Sequence, residues 1–192
     1  MTTHRLSLPP QSIESAHAGA KPILEGAQSA LGFVPGMYAR MANLPALLDT
    51  YVHGYDLFRA QSGLSPAEQE VVLLVVSREN GCEYCMAAHS MIGAKMTKVP
   101  AATLEAIRSG GPVPDARLAA LAAFTRTMVD KRGNPSPADV DAFLAAGFTE
   151  HHVLAVVLAI SVKIISNYAN HLFHTPVDPA FASFAWTVPK AA

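Results

Sequence analysis

Residues 79–90 read Glu-Asn-Gly-Cys-Glu-Tyr-Cys-Met-Ala-Ala-His-Ser and hold the only two cysteines of the 192-residue chain. Two thiols three positions apart, with a histidine four further on, are the parts of a dithiol redox site with its own proton carrier. At about 100° per residue on a helix, Cys82, Cys85 and His89 fall within an arc of about 60°, so all three face one cavity. Asn80-Gly81 is a helix stop, which puts Cys82 in the first turn of the following helix and Cys85 one turn later. Unpaired N–H groups and the positive end of the helix dipole favour a thiolate there, and on this ground alone Cys82 is the more acidic thiol. A thiolate attacks a hydroperoxide oxygen and becomes sulfenic acid, and the neighbouring thiol condenses with it to a disulfide. His89 accepts or returns the thiol proton near neutral pH.

Glu70, at the edge of an apolar run on the preceding helix, is the candidate fourth member. A half-buried carboxylate beside a histidine orients the imidazole and stabilises its charged form. Two other readings of these residues stay open. A structural zinc site takes Cys82, Cys85 and His89 as three ligands and His151, His152, His171 or His174 as the fourth. Alternatively, both cysteines are buried and inert beside a satisfied histidine. A thioredoxin-like motif needs a βαβ context, and the chain shows no convincing strand.

The elements that must position these residues are helical. A loose arm over residues 1–10 precedes a helix from Ser12 to Leu31-Gly32, kinked at Pro22. A turn at Gly32–Gly36 leads to a helical region over Met37–Gln61, stepped at Pro45. Ser65, Pro66 and Glu68 form a capping box that opens the next helix. The run Val71–Val76 alone would pass for a strand, but the cap and the polar Glu68, Gln69 and Glu70 make it helix. The cysteine helix runs to Met96, followed by helices over Pro100–Ser109 and Asp115–Lys131. Ser136-Pro137-Ala138-Asp139 starts another that ends near Gly147. Thr149 with Glu150 caps a last helix reaching His174, and an extended tail follows over 175–192. The fold class is all-α, one domain over residues 1–192.

Composition excludes several functions. The hydrophobic fraction is 51% and the charged fraction 15%, with 14 basic and 15 acidic residues and no basic cluster. Nucleic acid or an anionic membrane as main partner is therefore not expected, while the large apolar fraction suits a homo-oligomer. The N-terminus lacks the apolar core of a secretory signal, and Val153–Ile165 is shorter than the roughly 20 residues that span a bilayer. A cytoplasmic location is expected, where lone cysteines are catalytic or metal-binding more often than structural.

Leu64–Glu70, the apolar helix after it and Ser77–Ser90 resemble the core of AhpD-like alkylhydroperoxidases of the carboxymuconolactone decarboxylase superfamily, closest to its peroxidase-related branch. The resemblance implies a thiol-dependent peroxidase acting on hydrogen peroxide or organic hydroperoxides, regenerated by a thiol reductant, without metal or organic cofactor. It implies that Cys85 meets the peroxide, Cys82 resolves it, and His89 with Glu70 moves the proton. Some members carry a histidine where this chain has Tyr84, and the peroxidase-related branch commonly has tyrosine. A redox-sensing or disulfide-exchange protein is the alternative, and a carboxymuconolactone decarboxylase-like enzyme, whose relatives lack the thiol pair, is less expected. Asn167 and Asn170 share a helix face and line the pocket or an interface, or serve in helix-end capping. Lys163 is expected to snorkel to the surface. His151 and His152 are expected to be solvated, and Trp186 with Phe181 and Phe184 to pack on a neighbouring subunit.

Overall fold

A computed structural model describes residues 4–189. Among the described residues there is no strand, and the helices are α1 (Lys21–Leu31), α2 (Gly36–Met41), α3 (Pro45–Gln61), α4 (Pro66–Glu79), α5 (Glu83–Lys95), α6 (Ala101–Ser109), α7 (Ala116–Asp130), α8 (Pro137–Ala145) and α9 (Glu150–Phe173). The starts follow local chemistry. Ser65 accepts from the Glu68 N–H while Glu68 reaches back to the Ser65 N–H, and Ser136 with Asp139 repeats the device. Each such cap is worth about 0.5–2 kcal/mol.

α4 is the hub. Val71 to Val76 are completely buried, because α5, α6, α7 and α9 surround the helix. A helix covered on all sides has no polar face to keep, which explains an apolar run without amphipathic period. α9 crosses α3 and α4 and by length and composition alone could cross a membrane. Here its inner face carries buried Lys163, Ser166, Asn167 and Asn170.

Several expectations are corrected. α1 starts at Lys21 rather than Ser12, with turns before it, and Pro22 sits in its first turn, where its missing N–H breaks no helical bond. The expected Met37–Gln61 region is two helices separated at Ala42–Leu44. α9 is capped by Thr149 with His152, not Glu150. His152 therefore works as a cap, and exposed His151 contacts the Gln61 carbonyl.

Of the expected arm and tail, residues 1–3 and 190–192 lie outside the described residues. The described arm is tied down at two points, Leu6 N–H to the Leu172 carbonyl and Asn43 Nδ2 to the Pro9 carbonyl, and just beyond it by Gln11 N–H to the Ala39 carbonyl. The tail is not extended throughout. It forms a 3-10 turn over Pro179–Phe184 that packs on α5. Trp186 is buried against the chain's own core, its Nε1 donating to the Arg108 carbonyl at 2.9 Å, rather than on another subunit. Arg108 returns the contact by donating to the carbonyls of Phe184 and Ala185.

Candidate active site

Gly81 has φ of +68°, a left-handed conformation that glycine adopts without the Cβ clash. The turn it makes ends α4 at Asn80 and makes Cys82 the N-cap of α5. Cys82 thus stands half outside the helix, and Cys85 occupies the first turn. The helix-end argument that favoured Cys82 as the acidic thiol transfers to Cys85 once the boundary moves by this much.

Both cysteines are free thiols, and both are almost closed to solvent. Burial pushes the Cys85 thiol up, but three groups outweigh it: the Cys82 S–H that donates to Cys85, the Lys163 ammonium, and His89. The result is a thiol held well below its ordinary range, which favours the thiolate. Cys82 moves the opposite way, because its hydrogen bond to Cys85, its burial and the Cys85 charge all keep its proton on. Asn170 Nδ2 completes the surroundings, 3.4 Å from Cys85 Sγ and 3.9 Å from Cys82 Sγ, and Ser166 Oγ lies 3.9 Å from Cys85 Sγ.

His89, one turn beyond Cys85, places Nδ1 2.9 Å from Glu70 Oε2. Burial raises the Glu70 pKa, but the charges and hydrogen bonds of His89 and Arg59 bring it below the usual value. An ionised carboxylate only accepts, so Nδ1 carries the proton and Nε2 is left as a base. Burial and the Lys163 charge lower the His89 pKa against the pull of Glu70, so the ring is neutral at pH 7. Glu70 is completely buried, and Arg59 donates to its other oxygen and to the Tyr55 hydroxyl. Gln69 bonds Arg59 and three acceptors in the α3–α4 turn: the Arg59 carbonyl, Ser62 Oγ and the Leu64 carbonyl. The end of α3 is thereby stitched to the start of α4, which fixes Glu70 in depth and direction.

The four residues singled out from the sequence meet in this buried cluster. The sequence reading missed Arg59 and Ser166, sent Lys163 to the surface, and left Asn170 between a pocket and an interface; the structure sets it against the sulfurs. Lys163 does not snorkel: it is completely buried, and its Nζ has no hydrogen-bond partner among the described residues. Lys163, Ser166, Asn167 and Asn170 recur at intervals of three, four and seven along α9, so they form one polar stripe on an otherwise apolar helix. That stripe was the available signal. Asn167 accepts from Asn80 Nδ2 at 2.9 Å, fastening the α4–α5 turn to α9.

Tyr84 is a structural pin. Its hydroxyl donates to Asp178 Oδ2 at 2.6 Å, and the same carboxylate accepts the Gly36 N–H. A Cβ on Gly36 would come within 2.9 Å of Asp178 Oδ1, so the close approach needs glycine. Among the described residues, no group of three or more His, Cys, Asp or Glu side chains is arranged to hold a metal ion.

Two cavities flank the cluster. One, of about 640 Å³, is lined by apolar residues including Phe33, Met91 and Phe181 and reaches Tyr55 and Arg59. The other, of about 730 Å³, is lined by Cys82, Tyr84, Asn170, His171, Thr175 and Val188 among others.

The model of the carboxymuconolactone decarboxylase family matches residues 45–126, the span that carries Arg59, Glu70, Cys82, Cys85 and His89. No curated protein matches the chain by sequence. The crystal structure of an uncharacterized peroxidase-related protein with an alkylhydroperoxidase AhpD core, from Ralstonia eutropha JMP134, has a TM-score of 0.81 at 20% identity, covering 91% of this chain and 93% of that one. A peroxidase-related protein from Silicibacter sp. TM1040 gives 0.75 at 22% identity, over 94% of this chain and 97% of that one. The debrominase Bmp8 in complex with 2,3,4-tribromopyrrole gives 0.74 at 16% identity, over 94% and 96%. At these identities the likeness is one of fold. Residues 45–126, which carry Arg59, Glu70, Cys82, Cys85 and His89, are thus similar to the carboxymuconolactone decarboxylase family, and the fold of the chain is like that of the AhpD-core protein.

Proposed function

We propose that the protein is a thiol-dependent peroxidase that reduces hydrogen peroxide or organic hydroperoxides by a Cys82/Cys85 dithiol–disulfide cycle. The observation that carries this reading is the asymmetry of the pair: one buried sulfur surrounded by Lys163, Asn170 and a donating Cys82, the other holding its proton. A thiolate beside a thiol is the resting state such a cycle needs. Cys85 attacks the terminal peroxide oxygen, the O–O bond breaks, and the departing alkoxide takes up one proton drawn from solvent water and passed on through Nε2 of His89. Cys85 is now a sulfenic acid. Cys82 attacks its sulfur, hydroxide leaves, and the Cys82 proton converts it to water. Glu70 and Arg59 keep Nε2 of His89 as the basic nitrogen throughout. A thiol reductant returns the disulfide to the starting pair.

The test is peroxide consumption with a dithiol reductant. Cys85→Ser and His89→Ala are each expected to abolish turnover, and turnover that survives loss of both cysteines sinks the thiol mechanism. The fold likeness to Bmp8 supplies one competing substrate class, a halogenated pyrrole. Bromide release without peroxide consumption in the same assay would favour it. Disulfide exchange with a protein in the absence of peroxide turnover would favour the redox-partner reading.

A further inference from the structure

We propose that the groove at Cys82 is the binding site for the reductant, a low-molecular-weight thiol bearing amide N–H groups, which attacks Cys82 rather than Cys85. The inference rests on the dithiol cycle above and adds where, by what and on which sulfur the cycle is closed. Cys82 lines the groove, and Cys85 and His89 do not. Cys82, though almost closed to solvent, is thus the sulfur set in the groove wall, and a thiolate seated in the groove meets it first. The volume, about 730 Å³, lies in the range of about 300–1,000 Å³ typical of small-molecule sites.

The lining carries groups without partners. Asn170 is 4% exposed, and its Oδ1 has no hydrogen-bond partner among the described residues. Thr175, half-buried in the same lining, has an Oγ1 closed to solvent and without a hydrogen-bond partner among the described residues. A buried acceptor left unmade costs about 1–3 kcal/mol, so a ligand N–H that reaches Asn170 Oδ1 from the groove recovers that cost. Asn170 is also the residue whose amide touches both sulfurs, so a ligand seated on its Oδ1 lies beside the bond to be broken.

The exchange balances. The reductant thiol gives its proton to an imidazole at the rim, which His171 supplies, and its sulfur bonds to Cys82 Sγ. The Cys82–Cys85 bond breaks with its electron pair leaving on Cys85. A low-pKa thiol is the better leaving group, so the chemistry and the access select the same direction. A second thiol molecule attacks the reductant sulfur of the mixed disulfide, and Cys82 leaves and is protonated. Two reductant thiols are oxidised to their disulfide, and the protein recovers one thiolate and one thiol.

The experiment uses the full-length protein oxidised with diamide, so it needs no peroxide and is read independently of the peroxidase assay. Glutathione is the probe. Acid quench during reduction followed by peptide mapping is expected to find the glutathione adduct on Cys82. Val188→Trp, which fills the groove, is expected to slow reduction by glutathione about tenfold or more while oxidation by hydrogen peroxide changes less than about twofold. An adduct on Cys85 overturns the proposal, as does an unchanged Val188→Trp rate or equal slowing of both half-reactions. Reduction by thioredoxin but not by glutathione overturns it too. Should Val188→Trp fail to fold, as judged by its thermal melt, the adduct map on the wild type decides alone.

Discussion

At the scale of single residues, the chemistry turns on a lysine that sequence reasoning assigned to the surface. A buried ammonium is tolerated when a nearby negative charge compensates it, and the Cys85 thiolate is that charge. Replacing Lys163 with methionine keeps the bulk and removes the charge. The thiolate absorbance of Cys85, titrated against pH, should then move up by about one unit or more. Lys163→Arg should reverse much of that shift. A titration unchanged in Lys163→Met would mean that Cys82 and Asn170 suffice. On the other side of the sulfur, Glu70→Gln leaves His89 free to adopt either tautomer and strands Arg59 without its charged partner. Peroxide turnover is expected to fall about 10- to 100-fold, with substrate affinity little changed.

At the scale of elements, two short connections hold the chemistry in register. The α4–α5 turn depends on Gly81, and Gly81→Ala forces a Cβ into a left-handed conformation at a cost of about 1–2 kcal/mol. The nearest atom such a Cβ would meet is Val188 Cγ2 at 3.4 Å, an ordinary contact, so the strain is in the backbone alone. Denaturation should show that loss, and the Cys85 titration should shift as well if the turn sets the N-cap. Tyr84→Phe separates pinning from catalysis. It removes the hydrogen bond to Asp178 and should lower stability by about 1 kcal/mol, while peroxide turnover per folded molecule stays within about twofold. A larger drop in turnover would give the Tyr84 hydroxyl a part in the reaction.

For the whole molecule, acid should be the weak direction. His89 and Glu70 both have folded pKa values below their ordinary 6.5 and 4.5, and the Cys85 thiol lies below its ordinary 9.0. In each case the unfolded chain binds more protons over the intervening window, so the stabilisation is full above the ordinary value and is lost as pH falls through the folded one. Cys82, shifted up, acts in the opposite sense only as pH rises past 9.0. Urea midpoints are therefore expected to fall from pH 7.5 to pH 5 and to steepen below 4.5. A flat profile would contradict the buried relay.

The outer face of α9 carries exposed Leu154, Val157, Tyr168 and Leu172, at spacings that keep them on one stripe. We propose this stripe as the contact between copies of the chain. Leu154→Glu with Leu172→Glu should reduce the mass measured by light scattering, and an unchanged mass would move the interface elsewhere.

The sequence by itself determined most of the helices and brought out the candidate quartet, because both are written in short-range code. Capping boxes, Pro in the first turn, the Asn80-Gly81 stop and the Cys-x-x-Cys-x3-His spacing act over a few residues and need no partner. It also marked Glu70, through a carboxylate at the edge of an apolar run. Only the tertiary structure decided which thiol is ionised, because the deciding charges lie far away in the chain: Lys163 and Asn170 approach from α9, and Arg59 fixes Glu70 from α3. Helix-end reasoning chose Cys82, since within one helix the terminus is the only field to consider. Packing α9 across α4 and α5 added a stronger one. The same packing buried Lys163, and the fold of the tail onto α5 and Arg108 of α6 drew Trp186 onto the chain's own core, two outcomes no local rule contains. A side chain's exposure is set by what the rest of the chain brings to it.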